Sequence, residues 1–129
     1  MQERKLISSG AKWEDIVGYS RAVRIGNLIE VSGTAAVDEK GVVAPGNAYL
    51  QARFIIEKIQ KALQEAGAGL EDVIRTRIYV VEIAHTWEEV ARAHGEFFGT
   101  IKPASTMVEV KSLIDPDMLV EIEVTALLQ

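Results

Sequence analysis

Met118–Leu128 reads MLVEIEVTALL, with Val120, Ile122, Val124, Ala126 and Leu128 alternating with Glu121, Glu123 and Thr125. Such alternation is the period of a β-strand whose two faces differ: one apolar and suited to packing under helices, the other mixed. The helices are legible upstream. From Ala48 to Ala66, residues Ala52, Ile55, Ile56, Ile59, Ala62, Leu63 and Ala66 recur at spacings of three and four, and Gly67 follows as a C-terminal cap. Thr86-Trp87-Glu88-Glu89 has the form of a capping box and predicts a second helix running to about Phe98, with Trp87, Phe97 and Phe98 in the core.

Further strands are expected at Arg21–Ile25 and Leu28–Ser32, joined by a Gly26-Asn27 hairpin turn, and at Val73–Ile83, Ala104–Val110 and Lys5–Ser8. In the long strand Ile74, Ile78 and Val80 take one side and Arg75, Arg77, Tyr79 and Val81 the other. Polar turns at 38–47 and at Asp115-Pro116-Asp117 separate these segments. The expectation is one α+β domain over residues 1–129, a six-stranded mixed sheet with two helices on one face. Leu28, Tyr79, Val81, Met107, Leu119 and Leu127 then lie among charges on the uncovered face, which calls for another subunit.

Composition narrows the function. The 129 residues are 48% hydrophobic and 26% charged, as in a folded globular domain, and carry a net charge of -5. That balance, without a basic stripe, argues against a nucleic-acid partner. Cys is absent, which removes disulfides, thiol nucleophiles and thiolate metal sites. The opening MQERKLISSG is too polar for a signal peptide and no apolar run approaches a membrane span, so a cytoplasmic location and no membrane partner are expected.

Among chemistry-bearing residues, Glu109, Glu121 and Glu123 share a strand phase, and Arg75 and Arg77 offer the opposite charge on another strand. These groups form interface ion pairs, or one carboxylate is held apart as a general base for water. His85 and His94 lack a third ligand, so no metal is expected. Ser105 and Thr106 lack a nucleophile elbow, and Gly26, Gly33 and Gly41 form no nucleotide fingerprint, so no cofactor is expected either. Tyr19, in the Gly18-Tyr19-Ser20 approach to the first hairpin, either lines a pocket or packs.

The run Gly18-Tyr19-Ser20-Arg21-Ala22-Val23, continuing through Gly26-Asn27-Leu28-Ile29 to Val31-Ser32-Gly33, resembles the opening of the reactive-intermediate deaminase (YjgF) family. Gln51-Ala52-Arg53, Ala66-Gly67 with Leu70-Glu71-Asp72-Val73, Phe97-Phe98 with Pro103-Ala104, and Leu119-Val120-Glu121-Ile122-Glu123 follow in the family's order. The resemblance implies a chorismate-mutase-like fold assembled as a homotrimer, with a central barrel of sheets and small-molecule clefts between subunits. It also implies cofactor-free hydrolysis of enamines or imines to 2-oxo acids and ammonia. Tyr19, Gly33 and Glu121 match the cleft residues, with Glu121 activating water; Ser105 and Met107, on the strand after Pro103, complete the substrate-binding set.

The chain departs from the family at Ser105, where active deaminases carry an arginine that holds the substrate carboxylate. Thr34 replaces a glutamine, and the asparagine near the end of the long strand is absent at Ala84-His85. A serine hydroxyl cannot reproduce a guanidinium fork, so these departures point to a different ligand, uncharged where the carboxylate would sit. The alternative to a deaminase-like hydrolase is a non-catalytic metabolite-binding or regulatory protein; RNA cleavage fits the acidic balance least.

Overall fold

The structure, a computed structural model, describes residues 3–129. Its elements are β1 (Arg4–Ile7), α1 (Lys12–Val17), β2 (Ala22–Ile25), β3 (Leu28–Ala35), β4 (Val37–Asp38), β5 (Gly41–Val42), α2 (Ala48–Glu65), β6 (Val73–Val80), α3 (Ile83–Phe98), β7 (Ala104–Glu109) and β8 (Val120–Leu127). Six strands form one sheet in the order β1-β2-β3-β8-β6-β7, and β4 and β5 make a separate two-stranded ribbon. All neighbours in the large sheet are antiparallel except β6 and β7, the pair that α3 connects. The sheet is therefore mixed, as expected.

The alternation in β8 does what the sequence predicts. Val120, Ile122, Val124 and Ala126 are buried, together with Ile29, Val31, Ile78 and Val80 from the strands beside it. Against this face lies α2, whose Ala52, Ile55, Ile56, Ile59, Ala62 and Leu63 are all buried, and α3 packs on α2. Full burial of an Ile or Leu contributes about 1.5–3 kcal/mol relative to exposure, so this single stripe is a large part of the driving force.

Both ends of α2 are closed by local chemistry. Asn47 Oδ1 accepts from Leu50 N at 2.9 Å. At the other end Ala68 N donates to Leu63 O and Gly67 N to Gln64 O, with Gly67 at φ 92°, the Schellman arrangement in which glycine relieves the Cβ clash. In the β2–β3 turn only Gly26 takes a positive angle, φ 61°; Asn27 does not, so the turn follows the Gly-X pattern.

Six expectations are corrected. β6 ends at Val80 and α3 begins at Ile83, because Glu82 turns left-handed at φ 48° and breaks the strand. Thr86 consequently lies inside the helix, its hydroxyl donating to Val81 O and Glu82 O, and no capping box forms. Its place is taken from a distance by Glu109, whose Oε1 accepts from Ile83 N at 3.0 Å. With the helix starting earlier, its inner face runs through Thr86, Val90, Ala93 and Phe98, and Trp87 is turned outward at 47% exposure.

The remaining corrections concern strand phase. A register shift between Val73 and Arg75 leaves Ile74 exposed and buries Val73 instead. Parallel pairing sets Met107 beside Ile78 and Glu109 beside Val80. Both therefore take the helix-covered side of β7, and neither belongs to the open face. The short helix α1 was not anticipated.

The Glu109 cap yields a stability prediction. Glu109→Ala strips a helix N-terminus of its only tertiary acceptor among the described residues, and urea unfolding is expected to show a loss of about 1 kcal/mol. Glu109→Gln, which keeps a side-chain oxygen, recovers most of it.

Candidate active site

The open face of the sheet carries a polar network. Glu123 accepts from the Tyr79 hydroxyl and faces Arg77 Nη1 at 4.0 Å; Arg77 also reaches Thr125, whose hydroxyl donates to Glu30. This is the ion-pair arrangement. Glu121 stands outside it.

The separation of Glu121 begins in β3. Pairing runs Val31 with Val124 and then Thr34 with Ile122, so β3 carries one residue more than β8 across Ser32-Gly33. Such a bulge re-aims the backbone locally. Gly33 is thereby pressed onto the Glu121 side chain: a Cβ at position 33 would stand 2.3 Å from Oε2 and 3.1 Å from Cδ. The Glu121 carboxylate occupies the space a side chain at 33 would fill. Burial raises its pKa above the ordinary carboxylate value; Arg21 opposes the rise and Glu123 adds to it.

Tyr19 and Arg21 arrive from the segment between α1 and β2. Glu14, only 5% exposed, accepts from Ser8 Oγ, from Ser9 N and from the Ser9 hydroxyl, pinning α1 to the loop before it. Burial pushes the Glu14 carboxyl up, but the hydrogen bonds from Ser9 and Ser8 outweigh it and hold the pKa below the usual value. Gly18, left-handed at φ 91°, ends the helix and releases Tyr19. The chain is then fastened to the sheet by Arg21 N to Ile7 O, Ser32 N to Arg21 O and Ser32 Oγ to Ser20 O.

These pieces enclose a cavity of about 980 Å³, walled by Tyr19, Arg21, Gly33 and Glu121, by Lys58 of α2 and by Trp13 of α1. Its volume suits a small organic molecule. The Arg21 guanidinium sits over the Tyr19 ring at 5.7 Å, and its Nη2 donates to Gly33 O at 2.7 Å. Lys58 Nζ donates to Val37 O at 3.1 Å and to Ala35 O at 3.4 Å. Burial first, then Arg21, lowers the Lys58 pKa, against a smaller opposing pull from Asp38.

Three of the five residues singled out from the sequence, Tyr19, Gly33 and Glu121, thus meet at one cavity within a single chain. Ser105 and Met107 do not join them. They lie on β7, the outer strand, separated from β8 by β6. Met107 packs against the core, and Ser105 Oγ accepts from Thr76 Oγ1 at 2.7 Å, a hydroxyl that is also 2.9 Å from His94 Nε2. His85 is exposed, and among the described residues no three His, Asp or Glu side chains converge as metal ligands. Among the described residues no helix is long and apolar enough to cross a membrane.

Arg21 and Lys58 were missed by the sequence reading. Each left a signal: Arg21 directly follows the Gly-Tyr-Ser segment, and Lys58 is a cation bordering the Ile55, Ile59 and Ala62 stripe.

Residues 9–128 match the family model described as Endoribonuclease L-PSP. The solved structure of a member of the highly conserved YjgF/YER057c/UK114 family from Mycobacterium tuberculosis superposes with a TM-score of 0.88 at 46% identity, covering 98% of this chain and 100% of that one. A RutC family protein of Pyrococcus abyssi is 37% identical over 109 residues, 84% of each chain. The 3-aminoacrylate deaminase RutC of Acinetobacter baylyi is 34% identical over 105 residues, 81% of this chain and 82% of its own. A bulged glycine seated on a half-buried glutamate, in a six-stranded mixed sheet under two helices, is thus the frame of a protein that belongs to the YjgF, or Endoribonuclease L-PSP, family.

Proposed function

We propose that the cavity is a hydrolytic site for a small enamine, imine or related carbonyl-derived metabolite. Glu121 acts as general base on water and Tyr19 positions the substrate. The observation that carries this reading is the isolation of Glu121: it is half-buried against Gly33, kept out of the ion-pair network, and more basic than an ordinary carboxylate. A base whose pKa is moved toward the working pH is better matched to proton transfer.

In the proposed reaction, Glu121 takes a proton from water as the water oxygen adds to the carbon of the protonated imine, giving a neutral carbinolamine. Glu121 then returns that proton to nitrogen, and as ammonia leaves, the freed carboxylate takes the hydroxyl proton, leaving the carbonyl. An enamine enters the same path after protonation at carbon. The 3-aminoacrylate deaminase relative supports the reaction class. In a homotrimer, Ser105 and Met107 of a neighbouring subunit would complete the substrate-binding set, and the apolar and ion-paired open face would be the surface turned toward the other copies.

Ammonia release from a panel of enamines and imines, run in parallel on the wild type and Glu121→Ala, tests the reading. Turnover by the wild type with loss of about 10²-fold or more in the variant is expected. Equal residual rates in the two proteins would remove Glu121 from the mechanism.

A second reading is a binding or regulatory protein that keeps the cavity without turnover. It is favoured by Ser105, a hydroxyl already engaged by Thr76 where the deaminases carry an arginine. A ligand that raises the unfolding temperature without being consumed would support it.

A further inference from the structure

Of the three lysines on the cavity wall, Lys58 is half-buried, while Lys12 and Lys61 are exposed. A lysine is drawn inward where its ammonium is paired or where its proton is readily given up. Lys58 has no carboxylate partner: among the described residues the side-chain ion pairs are Arg53 with Glu96 and Arg77 with Glu123, both elsewhere. Its Nζ donates instead to two main-chain carbonyls, Val37 O at 3.1 Å and Ala35 O at 3.4 Å. A neutral amine has two N–H groups, and these two carbonyls engage both. The third tetrahedral direction is then left to the nitrogen lone pair.

The charges around Lys58 do not hold its proton in place. The half-buried charged groups that share its cavity are Arg21, a like charge, and Glu121, which does not pair with it. Asp38 and Glu39 of the β4–β5 ribbon and Glu65, two turns further along α2, line the same cavity but are exposed, and none of them pairs with Nζ. Water screens charges at such a rim. Of these carboxylates Asp38 alone pulls the Lys58 pKa upward, and burial and Arg21 outweigh it. The Phe54 ring, one turn earlier on α2, lies 5.8 Å from Nζ, near the outer limit of a cation–π attraction.

We propose that Lys58 is a covalent site of the cavity, its amine forming an iminium adduct with the carbon of a small ketone, aldehyde or imine. A desolvated lysine beside another cation is an arrangement that supplies a nucleophilic amine. With a ketone, the Lys58 lone pair adds to the carbonyl carbon and a proton shifts from nitrogen to oxygen. The carbinolamine then takes one solvent proton and loses water, leaving the iminium. A protonated imine reacts alike: attack gives a diamine, one proton passes from the Lys58 nitrogen to the substrate nitrogen, and ammonia leaves. Water cleaves either iminium to the carbonyl, the free Lys58 amine and a proton. This deepens the hydrolytic reading by giving it a covalent route, and it rests on that reading only for the class of ligand carbon.

The test is reductive trapping. The whole protein is incubated with pyruvamide, an uncharged ketone, and with sodium cyanoborohydride, which reduces an iminium to a stable secondary amine, and the labelled lysines are located by peptide mass spectrometry. Near pH 7 Lys58 is expected to be labelled several-fold faster than the exposed Lys61, one turn along the same helix, and the ratio should fall as the pH rises to about 10, where both amines are free. Lys58→Arg keeps a cation for the Ala35 and Val37 carbonyls, so it should lose this adduct while Lys61 is labelled as before and the unfolding temperature stays near that of the wild type. Labelling of Lys58 no faster than that of Lys61 near pH 7, or a ratio that does not change with pH, would overturn the site and leave Lys58 as a clamp on β3 and β4. Glu121-dependent ammonia release from imines with Lys58 unlabelled would strike the covalent site alone. Trapping at Lys58 with no ammonia release from any imine would strike the hydrolytic reading and leave the covalent site standing.

Discussion

Gly33→Ala is expected to lower ammonia release by about 10²-fold while leaving the fold nearly as stable as before. The added methyl would be built 2.3 Å from Glu121 Oε2, inside any allowed contact, so the carboxylate must move. What yields is the far end of a flexible side chain, and Gly33 is not among the positive-φ residues, so the backbone accommodates alanine without strain. The stability cost is correspondingly small, within about 1 kcal/mol in urea unfolding. Catalysis does not share that tolerance, because a displacement of about 1 Å in a reacting group costs on the order of 10²-fold. Normal rates in Gly33→Ala would mean that the Glu121 carboxylate does not need its observed position.

Glu121→Gln is expected to separate activity from stability in opposite directions. Burial raises the Glu121 pKa in the folded chain above its unfolded value. The folded state therefore holds its proton more tightly than the unfolded state does. The favourable contribution of this group is complete below the unfolded carboxylate pKa and is lost as pH rises through the folded one. At pH 8 the wild type carries a desolvated charge that glutamine lacks, so the variant should unfold at higher temperature; near pH 3 the two should converge. Above the Glu121 ionisation activity falls by about 10²–10⁴-fold for loss of a general base, and the gap narrows below it as the wild-type carboxylate is protonated. A variant less stable than the wild type at pH 8 would mark Glu121 as a structural carboxylate.

What could be read from the sequence follows the range of each interaction. The β8 alternation and the α2 stripe are local periodicities, and burial of Val120, Ile122, Val124 and Ala126 and of Ala52, Ile55, Ile56, Ile59, Ala62 and Leu63 followed them. Tyr19, Gly33 and Glu121 were legible because a motif carries them, although their meeting depends on the bulge across Ser32-Gly33, which no spacing announces. Phase across strands was not legible. Glu109 and Glu121 share odd numbering, yet the parallel pairing of β7 with β6 sends Glu109 to the helix side, where it caps α3. The apparent capping box at Thr86 failed for the same reason: the true acceptor is 26 residues away in sequence. Arg21 and Lys58 stayed hidden because their significance is a place on the cavity wall, a property visible only once every neighbour is in place.

The central claim, that Glu121 is the working base of the cavity, is tested most directly by the pH profile of kcat/KM for ammonia release in the wild type and in Glu121→Gln. The wild-type profile should rise through a single ionisation above the ordinary carboxylate range, and the residual rate of the variant should show no such ionisation. The same ionisation in both proteins, or a wild-type profile flat across that range, would contradict it.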